Sequence, residues 1–572
     1  MQKIKIALLL LGMSISTAIQ AQQKTPFTDL LTQQNDWVDS VFHKLHRRGR
    51  IAQLFFVRAH TDKGKAYEDS IANVIVKQRI GGLVFFQGGP VRQAGLINKY
   101  QSISRTPLLI AQDGEWGLGM RLDSTISFPY QMTLGAIQDN QLIYRMGLEV
   151  ARQFKRVGVN INFAPDIDIN NNPKNPVIGY RSFGDNKYNV TAKGGAYMKG
   201  MQDGGLLVSL KHFPGHGDTD VDSHYDLPQL KFNRERLDSL EMYPFRELVK
   251  QGASGVMVAH MNISALDNTP NLPSTLSRPI VTGILKEQLG FKGIVYSDAM
   301  EMKGVVKFFP GGEADVRAVI AGNDVIELSE NSERAMKLVR KAIRENRLTW
   351  DQVNASARKI LVAKFWAGLD TFKALPVTNL VNELNTPEAL NLKQQLSDAA
   401  VTVLNSDSLL KHIDYTKRTA LVSLGVTDLT TFQSELARTF TNSTNFILSK
   451  IASSADMSKM LAELKKYDQI IVGVHDYRKR PGSTLDYNSP LKVFIANLAR
   501  LNTITCVFAN PYTVAGLPGI EQSKTLLMNY ENSDETQKAA AKVIKGEIGA
   551  NGRLPVSINV FYKNGDGIVV GR

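Results

Sequence analysis

The stretch Leu206-Leu-Val-Ser-Leu-Lys-His-Phe-Pro-Gly-His-Gly-Asp-Thr-Asp-Val-Asp-Ser-His224 joins an apolar run to a segment with one lysine, three histidines and three aspartates. The apolar run, residues 206–210, predicts a buried strand. Pro214, Gly215 and Gly217 exclude a helix after it, and the polarity of the segment excludes a place in the core. We therefore expect a strand that ends in a loop rich in chemically active side chains.

Seven further apolar runs of the same character occur through the first two-thirds of the chain. The eight runs are residues 53–57, 82–86, 107–111, 160–164, 206–210, 255–259, 293–297 and 324–328. Amphipathic stretches between them predict helices, among them residues 67–78, 140–157, 189–203 and 234–250. Apolar strands that alternate with helices indicate a parallel sheet covered on both faces. Eight such units predict an N-terminal (β/α)8 TIM-like barrel in an α/β protein.

A second α/β region follows the barrel. The alternation pauses at about residue 371, and a helix at 389–403 leads into apolar runs at 420–424, 469–474, 503–508 and 525–528. Helices predicted at 429–439, 455–466 and 534–545 separate these runs, which is typical of a smaller αβα sandwich. The predicted organisation is a signal peptide (1–21), a catalytic barrel (22–370), a linker and helix (371–400) and a sandwich domain (401–572).

The N-terminal segment and the single cysteine predict the compartment. Residues 1–21 have a basic start, a short apolar stretch and small residues near Ala21, which is typical of a secretory signal peptide and not of a spanning helix. Cys506 lies far from this segment and has no cysteine to pair with, so it supplies neither a lipoprotein anchor nor an intrachain disulfide. We expect a periplasmic or secreted protein without a membrane anchor.

The net charge is positive. It is +14 for the whole chain, and it falls to +12 when the two lysines of residues 1–21 are removed. A basic surface favours anionic partners such as cell-wall fragments or membrane headgroups. Ordinary variation in isoelectric point is an equally good explanation, and composition excludes neither.

Charged and imidazole side chains collect just after the predicted barrel strands. Active sites of such barrels lie at the carboxyl ends of the strands, so this pattern predicts a pocket there. The residues are Asp113 after the third run, Asp166 and Asp168 after the fourth, Lys211 and His212 after the fifth, His260 after the sixth and Asp298 after the seventh.

Four interpretations of the polar segment compete. A metal site is possible by residue type, but the spacing matches no ligand pattern on a regular element; its ligands would be His212, His216, Asp218, Asp222 and His224. A solvated loop leaves three histidines unexplained, and a nucleic-acid or anion patch is disfavoured because the aspartates cancel the lysine. General acid/base catalysis fits better. Side chains two residues apart in an extended segment point the same way, so Asp222 can reach the His224 imidazole.

The residue string itself is specific. Lys-His-Phe-Pro-Gly-His-Gly-Asp-Thr-x-x-Asp-Ser-His, followed by Leu227-Pro228, resembles the signature of the glycoside hydrolase family 3 β-N-acetylglucosaminidases of the NagZ type. The resemblance implies that His224 is the general acid/base and Asp222 its partner, where most glycosidases use a carboxylic acid.

The segment Ser297-Asp298-Ala299-Met300 resembles the nucleophile motif of the same family. The position supports this independently, because an acid at the tip of a buried strand is held rigidly in the pocket. A carboxylate there can attack the anomeric carbon and form a glycosyl-enzyme. The alternative reading of Asp298 is a cap on the following helix.

Three motifs imply the sugar-binding residues. Residues 110–121 resemble the family's Asp-x-Glu-Gly-Gly-Arg-Val-x-Arg segment, and residues 180–185 resemble its Arg-x-Phe-Gly stretch. Trp116 and Leu118 stand where the family often has Gly and Arg, which predicts a reshaped pocket wall. The residues implied in binding the sugar, together with the Lys-His pair, are Asp113, Arg121, Arg181, Lys211 and His212; Asp113 as a turn residue and Arg181 as a surface charge are the alternatives.

The resemblance implies a retaining exo-β-N-acetylglucosaminidase that releases GlcNAc from the non-reducing end of peptidoglycan- or chitin-derived fragments. It implies no metal ion and no organic cofactor. The expected partner is a small carbohydrate (a GlcNAc-containing oligosaccharide or muropeptide), with no nucleic acid and no membrane span, and the oligomeric state stays open. The alternatives are another family 3 exo-β-glycosidase (a β-glucosidase or β-xylosidase), which typically lacks Asp-Ser-His, and a secreted sugar-binding protein whose catalysis has lapsed. Phosphate in place of water, giving a phosphorylase, is a variant of the same chemistry.

Overall fold

The structure is a computed structural model that describes residues 25–478 and 480–571. The predicted signal peptide lies outside the described residues. Strands β1–β11 belong to the barrel domain: Phe55–Ala59, Gly82–Phe85, Leu109–Gln112, Ile161–Asn162, Leu207–Val208, Leu210–Phe213, Gln229–Leu230, Gly255–Val258, Asn262–Ile263, Ile294–Ser297 and Ile326–Glu327. Strands β12–β17 form the second sheet: Thr402–Val403, Thr419–Leu424, Ser443–Leu448, Gln469–His475, Thr503–Phe508 and Thr525–Met528.

The helices surround both sheets. Helices α1–α14 are Phe27–Leu30, Asp36–Lys44, Arg47–Gln53, Lys65–Gln78, Pro90–Ile103, Gln131–Gly135, Asn140–Arg156, Lys187–Asp203, Arg234–Ser239, Tyr243–Lys250, Lys303–Val306, Glu313–Ala321, Ser332–Arg344 and Trp350–Trp366. Helices α15–α21 are Leu380–Leu384, Pro387–Ala400, Ser408–Lys411, Thr431–Ala437, Ser454–Leu464, Ser489–Ala499 and Asp534–Ile544. A π-helical segment at Pro279–Gln288 precedes β10.

The first domain is a closed parallel barrel. Its strands pair in the order β11-β1-β2-β3-β4-β5 and β10-β8-β6. Only Ser209 separates β5 from β6, so these two are halves of one strand, and a parallel bridge between Tyr296 and Val325 joins β10 to β11. The ring therefore closes with eight parallel strands in the part of the chain that the structure describes. The predicted barrel is confirmed, and each predicted apolar run overlaps a strand.

The second domain is an αβα sandwich, as predicted. Its strands pair in the order β12-β17-β16-β15-β13-β14, and all pairs are parallel except that of β12 with β17. The carboxyl ends of its strands face the barrel: the Tyr512 hydroxyl accepts from the Asn170 side chain at 2.9 Å. Glu531 accepts from the Tyr130 amide at 2.8 Å. The exact domain boundaries from the sequence stay predictions.

Three local predictions were wrong. The helix expected at 234–250 is two helices, α9 and α10, because the backbone leaves the helical region at Leu240 and Pro244 starts the second helix. The helix expected at 389–403 ends at Ala400, and the next residues form β12. The third error is an omission, since neither β14 nor α20 was predicted. Within residues 25–478 and 480–571, no helix combines the length and the apolar character needed to cross a membrane.

Candidate active site

The polar residues predicted after the barrel strands do meet at one rim. Asp113 follows β3, Asp166 and Asp168 follow β4, and Asp298 follows β10. One detail of the prediction was wrong: Lys211 and His212 lie within β6, not in the loop after it. The strand continues through Phe213, and both side chains are buried.

The residues predicted to bind the sugar form a buried ion-pair cluster around two carboxylates. Lys211 Nζ donates to Asp113 at 2.9 Å and pairs with Glu115 at 2.8 Å. Arg121 donates to Asp113 at 2.5 Å. Arg181 donates to both oxygens of Glu115, at 2.9 and 2.7 Å. Four of the five predicted binding residues are thus brought together, with Glu115 between two of them.

Charge compensation keeps this cluster ionised. Burial would raise the pKa of Asp113, but Lys211 and Arg121 outweigh it and hold that pKa well below its usual range. Burial would also raise the pKa of Glu115, but Arg181 and Lys211 outweigh it and lower that pKa to about 2. Burial would lower the pKa of Lys211, yet Asp113 and Glu115 raise it. The cluster therefore offers both charged donors and charged acceptors to a bound ligand at neutral pH.

His212, the fifth predicted binding residue, is oriented by Asp168. Its Nδ1 lies 2.7 Å from Asp168 Oδ2, and because a carboxylate only accepts, Nδ1 carries the proton. The Asp168 side chain also accepts from the backbone N–H of His216 at 2.6 Å. His212 Nε2 lies 3.5 Å from Arg181 Nη2, which joins the imidazole to the ion-pair cluster.

Asp166, Asp168 and His212 also hold possible metal-ligand atoms within 4.8 Å of one another. Hydrogen bonds between Asp168 and His212 already use two of these groups. Burial and the Asp168 charge raise the pKa of Asp166 well above its usual range. Asp218, one of the ligands considered for a metal site in the histidine-rich segment, pairs with Arg236.

Asp298 is an ionised carboxylate at the tip of β10. Its N–H donates to Val258 O at 3.1 Å, and its Oδ1 accepts from the Ala299 amide at 2.8 Å. Burial would raise its pKa, but His260 and His212 outweigh burial and lower it. The next helix, α11, has Met302 as its N-cap, so Asp298 is not a helix cap. Its charge is available to a ligand in the pocket.

The predicted contact between Asp222 and His224 is present, but its geometry differs from the prediction. His224 Nδ1 donates to Asp222 Oδ1 at 2.7 Å, and the His224 backbone N–H donates to the same oxygen at 2.9 Å. These residues lie in a turn in which the aspartate side chain accepts from the backbone, and not in an extended segment. The His224 side chain is 62% exposed, so its Nε2 is free to face a ligand.

This turn is docked on the segment that follows Asp298. Ser223 is only 2% exposed, and its Oγ lies 3.3 Å from Nε2 of the buried His216. A Cβ on Gly304 would lie 2.9 Å from Ser223 O, so α11 packs directly on the turn. Lys307 pairs with Asp226 at 3.0 Å. The turn that carries the acid/base candidate therefore packs against the segment that follows the nucleophile candidate.

Two glutamates at this rim have no predicted role. Glu115 lies inside the quoted 110–121 segment, two residues after Asp113, and that spacing was the available signal. Glu327 is buried in β11, and none of the described residues hydrogen-bonds to its side-chain oxygens. Burial, with Asp113 and Asp298, raises its pKa well above its usual range. His260 donates from Nε2 to Ala299 O at 3.1 Å and so supports the nucleophile segment.

Trp116 belongs to an aromatic wall beside the ion-pair cluster. Its ring lies 4.8 Å from that of Tyr130 and 6.0 Å from that of Tyr180. Tyr180 directly precedes Arg181, and Trp116 directly follows Glu115. Trp116 thus packs in an aromatic group that adjoins Glu115 and Arg181 in the sequence, and the reshaped pocket wall stays a prediction.

The comparisons with known proteins agree with this geometry. The model of the glycosyl hydrolase family 3 N terminal domain matches residues 47–363. The chain belongs to glycoside hydrolase family 3. Among curated family relatives, β-hexosaminidase A of Pseudoalteromonas piscicida is 33% identical over 373 residues, which are 59% of this chain and 62% of that protein. The β-N-acetylglucosaminidase/β-glucosidase of Cellulomonas fimi is 24% identical over 65% of this chain and 66% of its own length.

A solved family 3 structure covers nearly the whole fold. The β-N-acetylglucosaminidase of Paenibacillus sp. str. FPU-7 is 29% identical, with a TM-score of 0.75 over 90% of this chain and 99% of that chain. The chain spans less than two thirds of the two curated relatives described above. Membership of family 3 and the two-domain fold are therefore firm, and the identity of the sugar is a separate question.

Proposed function

We propose that this chain is a retaining exo-β-N-acetylglucosaminidase that hydrolyses terminal, non-reducing β-linked GlcNAc in peptidoglycan- or chitin-derived fragments. The observation that carries the proposal is the hydrogen-bonded Asp222–His224 pair, held on a turn that packs against the segment after Asp298. The names of the P. piscicida and Paenibacillus relatives support the choice of sugar.

In the first step Asp298 attacks the anomeric carbon and forms a covalent glycosyl-enzyme. Protonated His224 gives its Nε2 proton to the departing oxygen, while Asp222 stabilises the imidazolium through Nδ1–H. In the second step neutral His224 takes a proton from water, which attacks the anomeric carbon and releases Asp298. A neutral imidazole adds no negative charge near Asp298 at the moment when water approaches.

The ion-pair cluster is proposed to bind the sugar. The carboxylate of Asp113 accepts from paired hydroxyls, and Arg121, Lys211 and Arg181 donate to ring substituents. His212 presents Nε2 to the same pocket because Asp168 holds its other nitrogen. Since the cations and carboxylates are positioned before the ligand arrives, little reorganisation is needed on binding.

The sugar is tested with aryl β-glycosides of GlcNAc, glucose and xylose, assayed side by side over a range of pH. We expect GlcNAc to be released with the highest kcat/KM. The second candidate, a β-glucosidase, has support from the double name of the C. fimi relative, and a preference for the glucoside would establish it. No release from any glycoside would favour a sugar-binding protein without catalysis. Formation of GlcNAc 1-phosphate in phosphate buffer would identify a phosphorylase.

The nucleophile is tested by trapping. A 2-fluoro or 5-fluoro glycoside should label Asp298, and peptide mapping by mass spectrometry locates the label. Labelling of another carboxylate would overturn the mechanism.

We also propose that the protein is exported to the periplasm or secreted. The composition of residues 1–21 supports this. Cell fractionation and the N-terminus of the mature protein test it, and a cytoplasmic protein that retains residues 1–21 would contradict it.

A further inference from the structure

The second domain contains a cavity that is lined by residues of that domain. It has a volume of about 460 Å³ and lies at the carboxyl ends of β13, β14 and β15. Gly425 follows β13, Lys450 follows β14, and Asp476 and Tyr477 follow β15. The segment that returns from β15 closes the cavity with Tyr487.

The cavity lies where the order of the parallel strands reverses. β13 pairs with β14 on one side and with β15 on the other. The chain therefore runs from β13 to β14 in one direction and then returns across β13 to form β15. Crevices at such points are the usual ligand sites of open α/β sheets, because the loops on either side diverge. The position alone therefore favours a binding site.

The floor of this crevice is built by a buried tyrosine. The Tyr487 hydroxyl lies 2.6 Å from His475 O and 2.9 Å from Leu424 O, so it spans the two strands on either side of the reversal. Gly425 has a φ of +88°, and a Cβ there would lie 2.0 Å from the Tyr487 hydroxyl. This position requires glycine, and the close approach keeps the crevice open above it.

The charges of the cavity do not suit a free anion. Arg478 donates to both oxygens of Asp476, at 2.8 and 2.7 Å, and Lys450 pairs with Asp486 at 2.6 Å. Asp428 adds a third carboxylate to the lining. With both cations already paired, the lining offers donors and acceptors side by side, an arrangement that suits the vicinal hydroxyls of a neutral sugar.

An aromatic platform borders the same cavity. The Tyr477 ring is 60% exposed and lies nearly parallel to the His475 ring, at 18°. His475 in turn stacks on Phe508 at 4.8 Å, so a buried column supports the exposed ring. His475 is itself almost completely buried, and its Nε2 has no hydrogen-bond partner among the described residues. A flat, supported ring beside polar groups is the usual composition of a small-ligand site.

We propose that this cavity binds a neutral saccharide, one ring of which packs on Tyr477, and so holds a glycan chain on the second domain while the barrel acts at a chain end. The choice of a GlcNAc oligosaccharide as the ligand rests on the proposed function, but the site itself does not. The chemistry required is a pyranose with an apolar face and adjacent hydroxyls.

The full-length protein with Asp298→Asn, which blocks turnover, is titrated with chitotetraose by calorimetry. We expect two binding sites, one in the barrel and one at Tyr477. Adding Tyr477→Ala should weaken the second site roughly three- to tenfold and leave the first unchanged. Phe561→Ala, an equally exposed aromatic of the same domain at 61%, is the matched control and should change neither site.

Kinetics separate this inference from the proposed function. In the active enzyme, Tyr477→Ala should leave kcat/KM for aryl GlcNAc unchanged and should raise KM for chitotetraose. Binding at a second site that is insensitive to Tyr477→Ala, or a single site only, would overturn the inference even if aryl GlcNAc is hydrolysed. The protein could also hydrolyse no GlcNAc glycoside and yet lose a chitotetraose site on Tyr477→Ala substitution. That result would support the inference and overturn the proposed function.

Discussion

Replacing Glu115 with glutamine tests whether one buried carboxylate holds in place Arg181 and Lys211, the cations proposed to bind the sugar. Glu115 is completely buried and contacts Arg181 through two hydrogen bonds and Lys211 through a third pairing. The substitution keeps the size of the side chain and removes only its charge. Arg181 and Lys211 would then lose one of the buried carboxylates that compensate their charge.

Two arguments give similar estimates of the stability that the charge of Glu115 contributes. Removing one partner of a buried ion pair costs about 3–5 kcal/mol, because the remaining charge is left without compensation. The lowering of the Glu115 pKa from 4.5 to about 2 corresponds to about 3 kcal/mol. The sign follows from the lowered pKa: the stabilisation is present above pH 4.5 and is lost as the pH falls towards 2.

We therefore expect Glu115→Gln to lower the free energy of unfolding by about 3–5 kcal/mol at pH 7, measured by urea denaturation. The difference from the unsubstituted protein should shrink as the pH falls from 4.5 towards 2. The kcat/KM on aryl GlcNAc should fall about 100-fold, because Arg181 and Lys211 shift. Glu383→Gln is the matched control: Glu383 pairs with Arg156 but is 43% exposed, so the loss should stay below about 1 kcal/mol.

A Glu115→Gln protein with unchanged stability and unchanged kcat/KM would refute this reasoning. It would mean that the charges of Arg181 and Lys211 are compensated without Glu115.

Three further substitutions address the rest of the site. His224→Ala should lower kcat by about 10²–10⁴-fold for natural oligosaccharides and far less for activated aryl leaving groups; equal losses on both would remove His224 as the acid. Ser223→Ala should lower kcat about tenfold for poor leaving groups with little change in KM, because Ser223 anchors the turn on His216. An unchanged ratio of the rates for poor and good leaving groups would count against this positioning role. Burial, with Asp113 and Asp298, raises the pKa of Glu327, so the contribution of this group to stability is present below pH 4.5 and declines as the pH rises above that value. Glu327→Gln should abolish this decline, measured by thermal unfolding between pH 5 and 8, and a variant with the same pH slope as the unsubstituted protein would contradict it.

Much of the fold was predictable because it depends on local patterns. Each barrel strand is a short apolar run, since a parallel strand covered on both faces must be apolar along its whole length. Strand β14 escaped detection because residues 443–448 form an edge strand of Ser, Thr and Asn with partial exposure, so no continuous apolar run marks it. The break between α9 and α10 was not predicted because the amphipathic pattern continues across it.

The sequence by itself determined the eightfold alternation, the candidate nucleophile and the acid/base pair, because each is encoded within a few neighbouring residues. Only the tertiary structure decided that Glu115 joins Arg181 to Lys211, residues far apart in the chain, and that Lys211 belongs to a strand. It also decided that the turn of Asp222 and His224 rests on the segment following Asp298. Closing the barrel brings the ends of distant strands to one rim, and no local sequence pattern shows which charged side chains then form ion pairs.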